Sequence, residues 1–234
     1  MTEPEFDHYS RSYQELLCDP IRDRFAAADS EFFHIRKRDL IRSYFRQRAT
    51  NTRELSYLDV GCGLGELMSL LRGDFTRAAG CDISRGMIGH ASGLEVRLQK
   101  DPCKIPFEAA EFDVVSAVCV CHHVPEADRI ALTREIVRVL KPGGTFIVIE
   151  HNPYNPVTRL IVNRSPIDRN AQLLRPRETR VLMSDAGLVP VVTSYFLLFP
   201  HRAYHHGGAT VEDWLSMLPF GGQYAVFGKK QADR

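Results

Sequence analysis

The stretch Leu55-Ser-Tyr-Leu-Asp-Val-Gly-Cys-Gly-Leu-Gly-Glu-Leu-Met68 decides the fold. Its first six residues have the apolar character of a buried strand, three glycines follow at alternate positions, and a helical pattern of leucines comes next. Glycine is favoured at such a strand-to-helix turn because it adopts positive φ freely and lets a ligand approach the backbone. The helix that follows offers unpaired amide groups and the positive end of its dipole. The stretch therefore predicts the ligand-binding turn of an α/β domain.

The spacing of these glycines distinguishes between nucleotide ligands. The third glycine, Gly65, comes one position earlier than in the dinucleotide fingerprint, and Glu66 stands where that fingerprint has glycine. An acidic side chain at the start of a helix is a poor neighbour for a pyrophosphate, whereas a ligand with a cationic amine suits Asp59 and Glu66. This argues against a nicotinamide-dependent oxidoreductase, which stays the alternative from another enzyme class.

Size and charge limit what the chain can be. At 234 residues, 44% hydrophobic and 25% charged, it fits one soluble α/β domain with elaborations, or at most two small domains. A net charge of +1 gives no reason to expect nucleic acid or an anionic membrane as a partner. The longest apolar runs, such as 112–120 and 196–199, are too short to span a bilayer.

The N-terminal residues and the cysteines indicate a compartment. Residues 1–7 are acidic and lack the apolar region of a signal peptide. Cys62, Cys81 and Cys119 lie in or beside apolar strands, where small buried thiols are common. We therefore expect a reducing cytoplasm.

With Asp59 before the glycines, the opening stretch resembles motif I of the class I methyltransferases that depend on S-adenosylmethionine (SAM). Four later segments resemble further motifs of that family: 77–88, 101–107, 111–124 and 140–144. The last of them is Leu-Lys-Pro-Gly-Gly. The resemblance spans about residues 6–229. It implies a SAM-dependent methyltransferase with SAM as cofactor and S-adenosylhomocysteine as product.

The resemblance also implies an architecture. We expect an α/β fold with a doubly wound, seven-stranded, mostly parallel sheet, an antiparallel last strand and an N-terminal helical lid. Residues 1–50 would form that lid, and 51–234 the Rossmann-like domain with a lid insertion at about 151–175. A monomer or homodimer is expected.

Asp82 is the predicted ribose-binding acid. It ends the second strand, 17 positions after Gly65, and a carboxylate there can accept hydrogen bonds from both ribose hydroxyls. The alternative is that Asp82, together with Ser84, caps the next helix. Ile83 and Met87 would then bracket the adenine.

The resemblance assigns Asp101 to the adenine amino group. In the family the next residue donates its backbone N–H to the ring, but Pro102 has none. Either Cys103 supplies that bond or the base is held more loosely.

The N-terminal helices supply three more expected contacts. Tyr9 and Tyr13 match the aromatic residues of an opening helix that covers the cofactor; the alternative is an amphipathic packing helix. Lys37 matches a basic residue that pairs with the cofactor carboxylate in bacterial methyltransferases encoded with sugar and surface-polysaccharide genes; the alternative is a solvated basic face. The full set of expected cofactor residues is Tyr9, Tyr13, Lys37, Asp59, Gly61, Cys62, Gly63, Gly65, Asp82, Ile83, Met87, Asp101, Pro102, Cys103, Val118, Cys119 and His123.

The acceptor side is predicted from two segments that follow strands. Cys119-Val-Cys-His-His123 matches no zinc-binding spacing, so no metal is predicted. Its His123 is expected to pack beside the cofactor and His122 to contact substrate. The segment 151–168, with three prolines, is predicted to be a substrate-facing lid, the alternative being a stiff connection. It supplies the other expected substrate contacts, His151, Tyr154 and Asn155.

The expected reaction is O-methylation of a hydroxyl on a sugar or another small metabolite. A hydroxyl acceptor must lose its proton, and histidine suits that task at neutral pH. His122 and His151 are therefore the candidate catalytic bases. The alternatives are N-methylation of a small amine and a non-catalytic SAM-binding protein on the same fold.

Overall fold

Seven strands form one sheet around the strand that precedes the glycine turn. The computed structural model describes residues 5–10, 12–27, 29 and 31–232. In chain order the strands are β1 Ser56–Val60, β2 Arg77–Asp82, β3 Glu95–Leu98, β4 Phe112–Val118, β5 Leu140–His151, β6 Leu188–Phe196 and β7 Gln223–Lys230. Their order across the sheet is β3-β2-β1-β4-β5-β7-β6.

The pairing confirms the predicted fold class. Neighbouring strands from β3 to β5 are parallel, and β7 runs antiparallel to both β5 and β6. The chain first builds outward from β1 to β2 and β3, then returns to place β4 on the other side of β1. The carboxyl ends of β1 and β4 therefore border the crevice at which open α/β sheets bind ligands.

Helices cover both faces of the sheet and the crevice. They are α1 Glu5–Tyr9, α2 Tyr13–Leu16, α3 Pro20–Ala26, α4 Phe32–Arg46, α5 Glu66–Leu71, α6 Arg85–Ile88, α7 Glu126–Val139, α8 Pro156–Arg164, α9 Pro176–Asp185, α10 His201–Ala203 and α11 Ala209–Leu215. Among the described helices, none combines the length and the apolar character needed to cross a bilayer.

The core consists of two apolar layers because successive strand residues point to opposite faces. On one face, Tyr44 of α4 stacks on Phe227 of β7 with ring centroids 3.9 Å apart. On the other face, Ile136 of α7 is buried in the same cluster as Val115 and Phe146. The sheet therefore holds its carboxyl ends rigidly between helical layers.

The N-terminal segment differs from the single helix that its aromatic spacing predicts. Helix α1 ends at Tyr9 and α2 begins at Tyr13. The Ser10 hydroxyl donates to the carbonyl of Asp7 at 3.0 Å, a local bond that competes with helix continuation. The sequence Asp-Ser before α4 predicts an N-cap at Asp29 or Ser30. In the structure α4 begins after Glu31, which makes no side-chain cap, so Asp29 is not the N-cap; Ser30 lies outside the described residues.

The sequence Lys-Pro-Gly-Gly, 141–144, predicts a helix stop before a strand that begins at Thr145. In the structure this segment lies inside β5, where the register shifts between the pairs Phe112↔Leu140 and Val114↔Thr145. Gly143 has a φ of +76°, and a Cβ on Gly144 would lie 3.0 Å from the carbonyl of Asp113. The two glycines therefore let the strand bulge closely against β4.

Candidate functional site

The glycine turn after β1 has the geometry that requires glycine. Gly61, Gly63 and Gly65 have φ values of +71°, +53° and +78°. A Cβ on Gly61 would lie 2.4 Å from a Val120 methyl carbon, and one on Gly65 would lie 2.5 Å from Leu94. Gly65 therefore packs the start of α5 against the segment before β3, and it does not line the cavity at the carboxyl end of the sheet.

Asp82 is fixed at this turn by two backbone amides. Its carboxylate accepts from Gly63 N at 2.9 Å and from Ser84 N at 2.8 Å. Ser84, whose hydroxyl accepts from Met87 N, is the N-cap of α6. The side chain of Asp82 therefore lines the cavity, and burial raises its pKa.

Asp59 is the second buried acid at this end of the cavity. Its carboxylate accepts from the Ser116 hydroxyl at 2.5 Å, and the hydroxyl of Tyr57 lies 2.7 Å from the same Ser116 oxygen. Burial raises the pKa of Asp59 to about 6, against the opposing effects of Ser116 and Lys37. The carboxylate of Asp59 is therefore oriented by hydrogen bonds while its negative charge is only partly compensated, so it can pair with a cationic group of a ligand.

Lys37 is the buried base that faces these acids. It lies on α4, is 7% exposed and lines the cavity. Within the described part of the chain, its ammonium forms no ion pair. A buried ammonium without a carboxylate partner is costly unless a ligand supplies the anion.

The first helix closes one side of the cavity. The Asp7 carboxylate accepts from the Ser84 hydroxyl at 2.5 Å and from Gly86 N at 2.8 Å, which ties α1 to α6. Phe6 lines the cavity and meets His123 edge to face, with ring centroids 5.0 Å apart. Tyr13 lines the cavity as predicted, whereas Tyr9 packs on Phe6 and does not line it.

The segment after β3 differs from its predicted role. The side chain of Asp101 is 48% exposed, accepts from Cys103 N at 2.9 Å and does not line the cavity. The backbone amide of Cys103 is therefore used in a local turn, and Cys103 does not line the cavity either. Gln99, which sequence reasoning missed, does line the cavity; its side-chain amide donates to the Pro102 carbonyl at 2.9 Å.

One cavity of about 620 Å³ joins these groups, within the size range of about 300–1,000 Å³ for ligand sites. Most of the expected cofactor residues line it: Tyr13, Lys37, Asp59, Gly61, Cys62, Gly63, Asp82, Ile83, Met87, Pro102, Val118, Cys119 and His123. Four do not: Tyr9, Gly65, Asp101 and Cys103.

Histidines and carboxylates meet at the part of this cavity that lies after β4 and β5. We call it the acceptor end because the sequence predicts the substrate contacts there. His122 is fully buried, with Nδ1 against the Glu150 carboxylate and Nε2 3.4 Å from Asp168 Oδ1. Burial opposes the charged ring, but Glu150 and Asp168 outweigh it and raise the pKa of His122 to about 10. Both nitrogens of His122 therefore face carboxylates, which argues against its predicted part as a catalytic base.

His151 has a different environment. It lies at the end of β5 and lines the cavity, with its ring centroid 5.2 Å from that of His122. Burial, reinforced by the charge of His122, lowers the pKa of His151 to about 4. Its ring is neutral at neutral pH and makes no hydrogen bond to another described side chain, so it can accept a proton.

Of the two further residues predicted to contact substrate in the segment after β5, one lines the cavity. Asn155 lines the cavity, although its side chain also caps α8 by accepting from Thr158 N at 3.0 Å. Tyr154 is 53% exposed and does not line the cavity. Asp168, 17 positions after His151, does line it and was missed, because nothing in its local pattern marks it as a site residue.

Parts of this chain are similar to known methyltransferases. Residues 58–148 match the family model described as a methyltransferase domain. The chain is 28% identical over 159 residues to the demethylmenaquinone methyltransferase of Lactococcus lactis, covering 61% of this chain and 62% of that protein. It is 33% identical over 113 residues to the ubiquinone biosynthesis O-methyltransferase of Methylococcus capsulatus, covering 45% and 47%. The chain spans about half the length of these curated relatives.

The fold is shared over a longer stretch than the sequence. A SAM-dependent methyltransferase from Thermotoga maritima superposes with a TM-score of 0.69 at 19% identity, covering 97% of this chain and 98% of that one. The family match begins inside β1 and ends inside β5, so it includes the glycine turn and Asp82. Residues 58–148 therefore carry a methyltransferase domain, and the chain as a whole has the fold of a protein described as a SAM-dependent methyltransferase.

Proposed function

We propose that the protein transfers the methyl group of SAM to a hydroxyl of a small-molecule acceptor. The observation that carries this proposal is that the buried charges at the cofactor end and the neutral His151 open onto the same cavity. A sulfonium is already an activated donor, so the protein has mainly to align donor and acceptor. Such alignment is worth up to about 7–11 kcal/mol of the barrier.

The buried charges support a specific arrangement of SAM. Asp82 would accept from the ribose hydroxyls, with Ile83 and Met87 on the faces of the adenine. Lys37 would pair with the carboxylate of the methionyl group, and Asp59 would interact with its ammonium. Each assignment gives a buried, incompletely neutralised group the partner that it lacks in the protein alone.

The acceptor end supports a compound that is partly apolar. Besides His151 and Asn155, it is lined by Ile161, Val162 and Ile167. A hydroxylated ring with an apolar body fits such a lining. One relative is named a demethylmenaquinone methyltransferase and another a ubiquinone biosynthesis O-methyltransferase. The sugar acceptor and the link to polysaccharide genes stay predictions from the sequence.

His151 would act as the base in this reaction. The acceptor oxygen gives its proton to the His151 ring and forms the new O–CH₃ bond, while the S–CH₃ bond breaks and sulfur keeps the electron pair. Proton transfer of this kind is typically worth about 10²–10⁴-fold in rate. An amine acceptor would need only to arrive neutral, so N-methylation is the main alternative.

The test is a panel of hydroquinones, catechols, sugars and small amines, assayed by mass spectrometry with SAM as donor. We expect O-methylated ring products, a kcat lowered about 10²–10⁴-fold in His151→Gln, and unchanged SAM affinity. His90→Ala, an exposed histidine, is the matched control. Products from amines alone would favour N-methylation, and tight SAM binding without any product would favour a non-catalytic protein.

A further inference from the structure

Three donor groups from two separate segments of the chain meet at the acceptor end of the cavity. His122 and His123 follow β4, and Asp168 follows α8. Asp168 Oδ1 lies 3.4 Å from His122 Nε2 and 3.5 Å from His123 Nε2, and one donor atom of each residue lies within 4.8 Å of the others. A tetrahedral ion with bonds of about 2.0–2.1 Å separates its ligand atoms by about 3.4 Å. The two distances from Asp168 Oδ1 to the histidine nitrogens are therefore close to the distance between ligand atoms in a tetrahedral metal site.

His122 is oriented as metal-binding histidines are. Its Nδ1 is held by Glu150, whose other carboxylate oxygen accepts from Cys121 N at 2.8 Å. This leaves Nε2 as the ligand atom, which is buried without a formed hydrogen bond and 3.4 Å from Asp168 Oδ1. A metal ion bound there would take the place of the proton on Nε2, which passes to solvent. A carboxylate that fixes the far nitrogen of a ligating histidine is the usual support of such sites.

We propose that His122, His123 and Asp168 bind one divalent transition-metal ion, with Glu150 as the positioning residue of His122. Two imidazoles and one carboxylate suit Zn²⁺ and its neighbours in the first row, whereas Mg²⁺ and Ca²⁺ prefer oxygen ligands. Three protein ligands leave at least one coordination position open, as in catalytic zinc sites. All three residues line the cavity, so that position is accessible to an acceptor.

This inference rests on the proposed function and narrows its substrate class. A hydroxyl bound at the open position would be acidified by the ion, so that its proton passes to His151 more readily. The acceptor oxygen then forms the bond to the methyl carbon as the S–CH₃ bond breaks. The substrate class is therefore a compound that presents a phenolic or enolic oxygen to the metal.

Metal binding is measured on the chelator-treated full chain by equilibrium dialysis against Zn²⁺ with elemental analysis. We expect one Zn²⁺ per chain, and a loss of affinity of about 100-fold or more in both His123→Ala and Asp168→Asn. Glu150→Gln should weaken binding about 10–100-fold, as losses of such supporting carboxylates do. His90→Ala should bind like the wild type. Thermal unfolding of each variant, recorded beside the dialysis, shows that the comparison is made on folded protein.

Cobalt identifies the ligands independently. Co²⁺ should give visible ligand-field bands without a thiolate charge-transfer band, because no cysteine belongs to the proposed set. Wild-type affinity in Asp168→Asn, a thiolate band, or Mg²⁺ binding as tight as Zn²⁺ would each overturn the proposal. Since these readouts use neither SAM nor acceptor, a chain that binds zinc but methylates nothing retains the metal site and refutes only the proposed function.

Discussion

Three buried charges at the cofactor end of the cavity are only partly compensated within the protein. Asp59, Asp82 and Lys37 are 3%, 8% and 7% exposed. The two acids are held by hydrogen bonds from Ser116, Gly63 and Ser84, which orient them without adding a positive charge. Such buried charges lower the stability of the free protein until a ligand pairs with them. Single substitutions at these positions can therefore weaken ligand binding without lowering the free energy of unfolding.

Lys37→Met should weaken binding of SAM much more than binding of a SAM analogue that lacks the carboxylate. A hydrogen bond to a charged group is worth about 1.5–3 kcal/mol, so we expect the affinity for SAM to fall at least about tenfold. Calorimetric titration of both ligands into both proteins gives the coupling between Lys37 and the carboxylate. Lys100→Met, at an exposed position, is the control. Equal losses for the two ligands would show that Lys37 does not recognise the carboxylate.

The affinity for SAM should depend on the ionisation of Asp59. Since burial raises the pKa of Asp59 to about 6, the carboxyl is protonated in the free protein at pH 5 and ionised at pH 7. An ammonium prefers the ionised form, so SAM should bind about tenfold more weakly at pH 5 than at pH 7. The stability of the free protein depends on pH in the opposite direction. Because the pKa of Asp59 is raised by folding, its contribution to the free energy of unfolding is greatest at low pH and falls as the pH rises towards 6.

Asp59→Asn provides the comparison for this pH dependence. The amide oxygen can still accept from Ser116, but it does not titrate. Titrations between pH 5 and 7 should therefore show a flatter profile than the wild type, with only the residual effect of Asp82, whose pKa is also raised. An unchanged slope in Asp59→Asn would assign the titration to another group.

At the scale of elements, the contact between α1 and α6 decides how the cavity is covered. Asp7 accepts two hydrogen bonds from α6 and its N-cap, and Gly86 permits the close approach. A Cβ on Gly86 would lie 2.5 Å from the Ser10 hydroxyl and 2.8 Å from its Cβ. The first helix is thus attached to the core domain by a few specific contacts beside the expected ribose site.

Gly86→Ala should therefore release the cofactor faster. The added methyl separates α1 from α6 and weakens the bonds of Asp7, each worth about 1.5–3 kcal/mol, so we expect SAM to dissociate at least about tenfold faster. Alanine is a better helix former than glycine, so α6 itself should not be destabilised. Stopped-flow displacement of SAM measures the rate. Gly73→Ala, where a Cβ meets nothing within 4 Å, is the control, and an equal rate in both variants would contradict this role of α1.

Sequence patterns predict the fold and the glycine turn after β1 well because those features are local. A strand, a glycine turn and an acid after the next strand each fix a backbone geometry, and β1, Gly63 and Asp82 lie where expected. Asp101 was misplaced because its carboxylate closes its own turn onto Cys103 N, which a residue match cannot reveal. Asp168 was missed because its partners His122 and His123 lie 46 and 45 positions away in the sequence and meet it only through the fold of the segment after β5.

For the whole molecule, a buried ion pair joins the N-terminal helices to the C-terminal part of the chain. Arg36 of α4 pairs with Glu212 of α11 and lies over the Tyr204 ring at 3.4 Å. The same carboxylate accepts from the amides of Leu197, Leu198 and Phe199 at 3.2, 2.8 and 3.3 Å. One side chain therefore fixes both α11 and the loop after β6, and Leu197 and Leu198 of that loop line the cavity.

Glu212→Ala should lower the free energy of unfolding by about 3–5 kcal/mol, because it leaves the Arg36 charge buried and unpaired. Urea unfolding, followed by circular dichroism, measures this change. Asp213→Ala removes the neighbouring exposed acid and should change the stability by less than about 0.5 kcal/mol. Equal midpoints for the two variants would show that the ion pair does not join these parts of the fold.

The proposed cofactor site depends above all on the role of Asp82 in holding the nucleoside half of SAM. This role is tested most directly by calorimetric titration of SAM into Asp82→Ala, with Asp185→Ala, an exposed acid, as the control. Loss of two charge-assisted hydrogen bonds, each worth about 1.5–3 kcal/mol, predicts an affinity lowered about 100-fold or more. The control should bind like the wild type. An Asp82→Ala protein that remains folded and binds SAM within about twofold of the wild type would contradict the account.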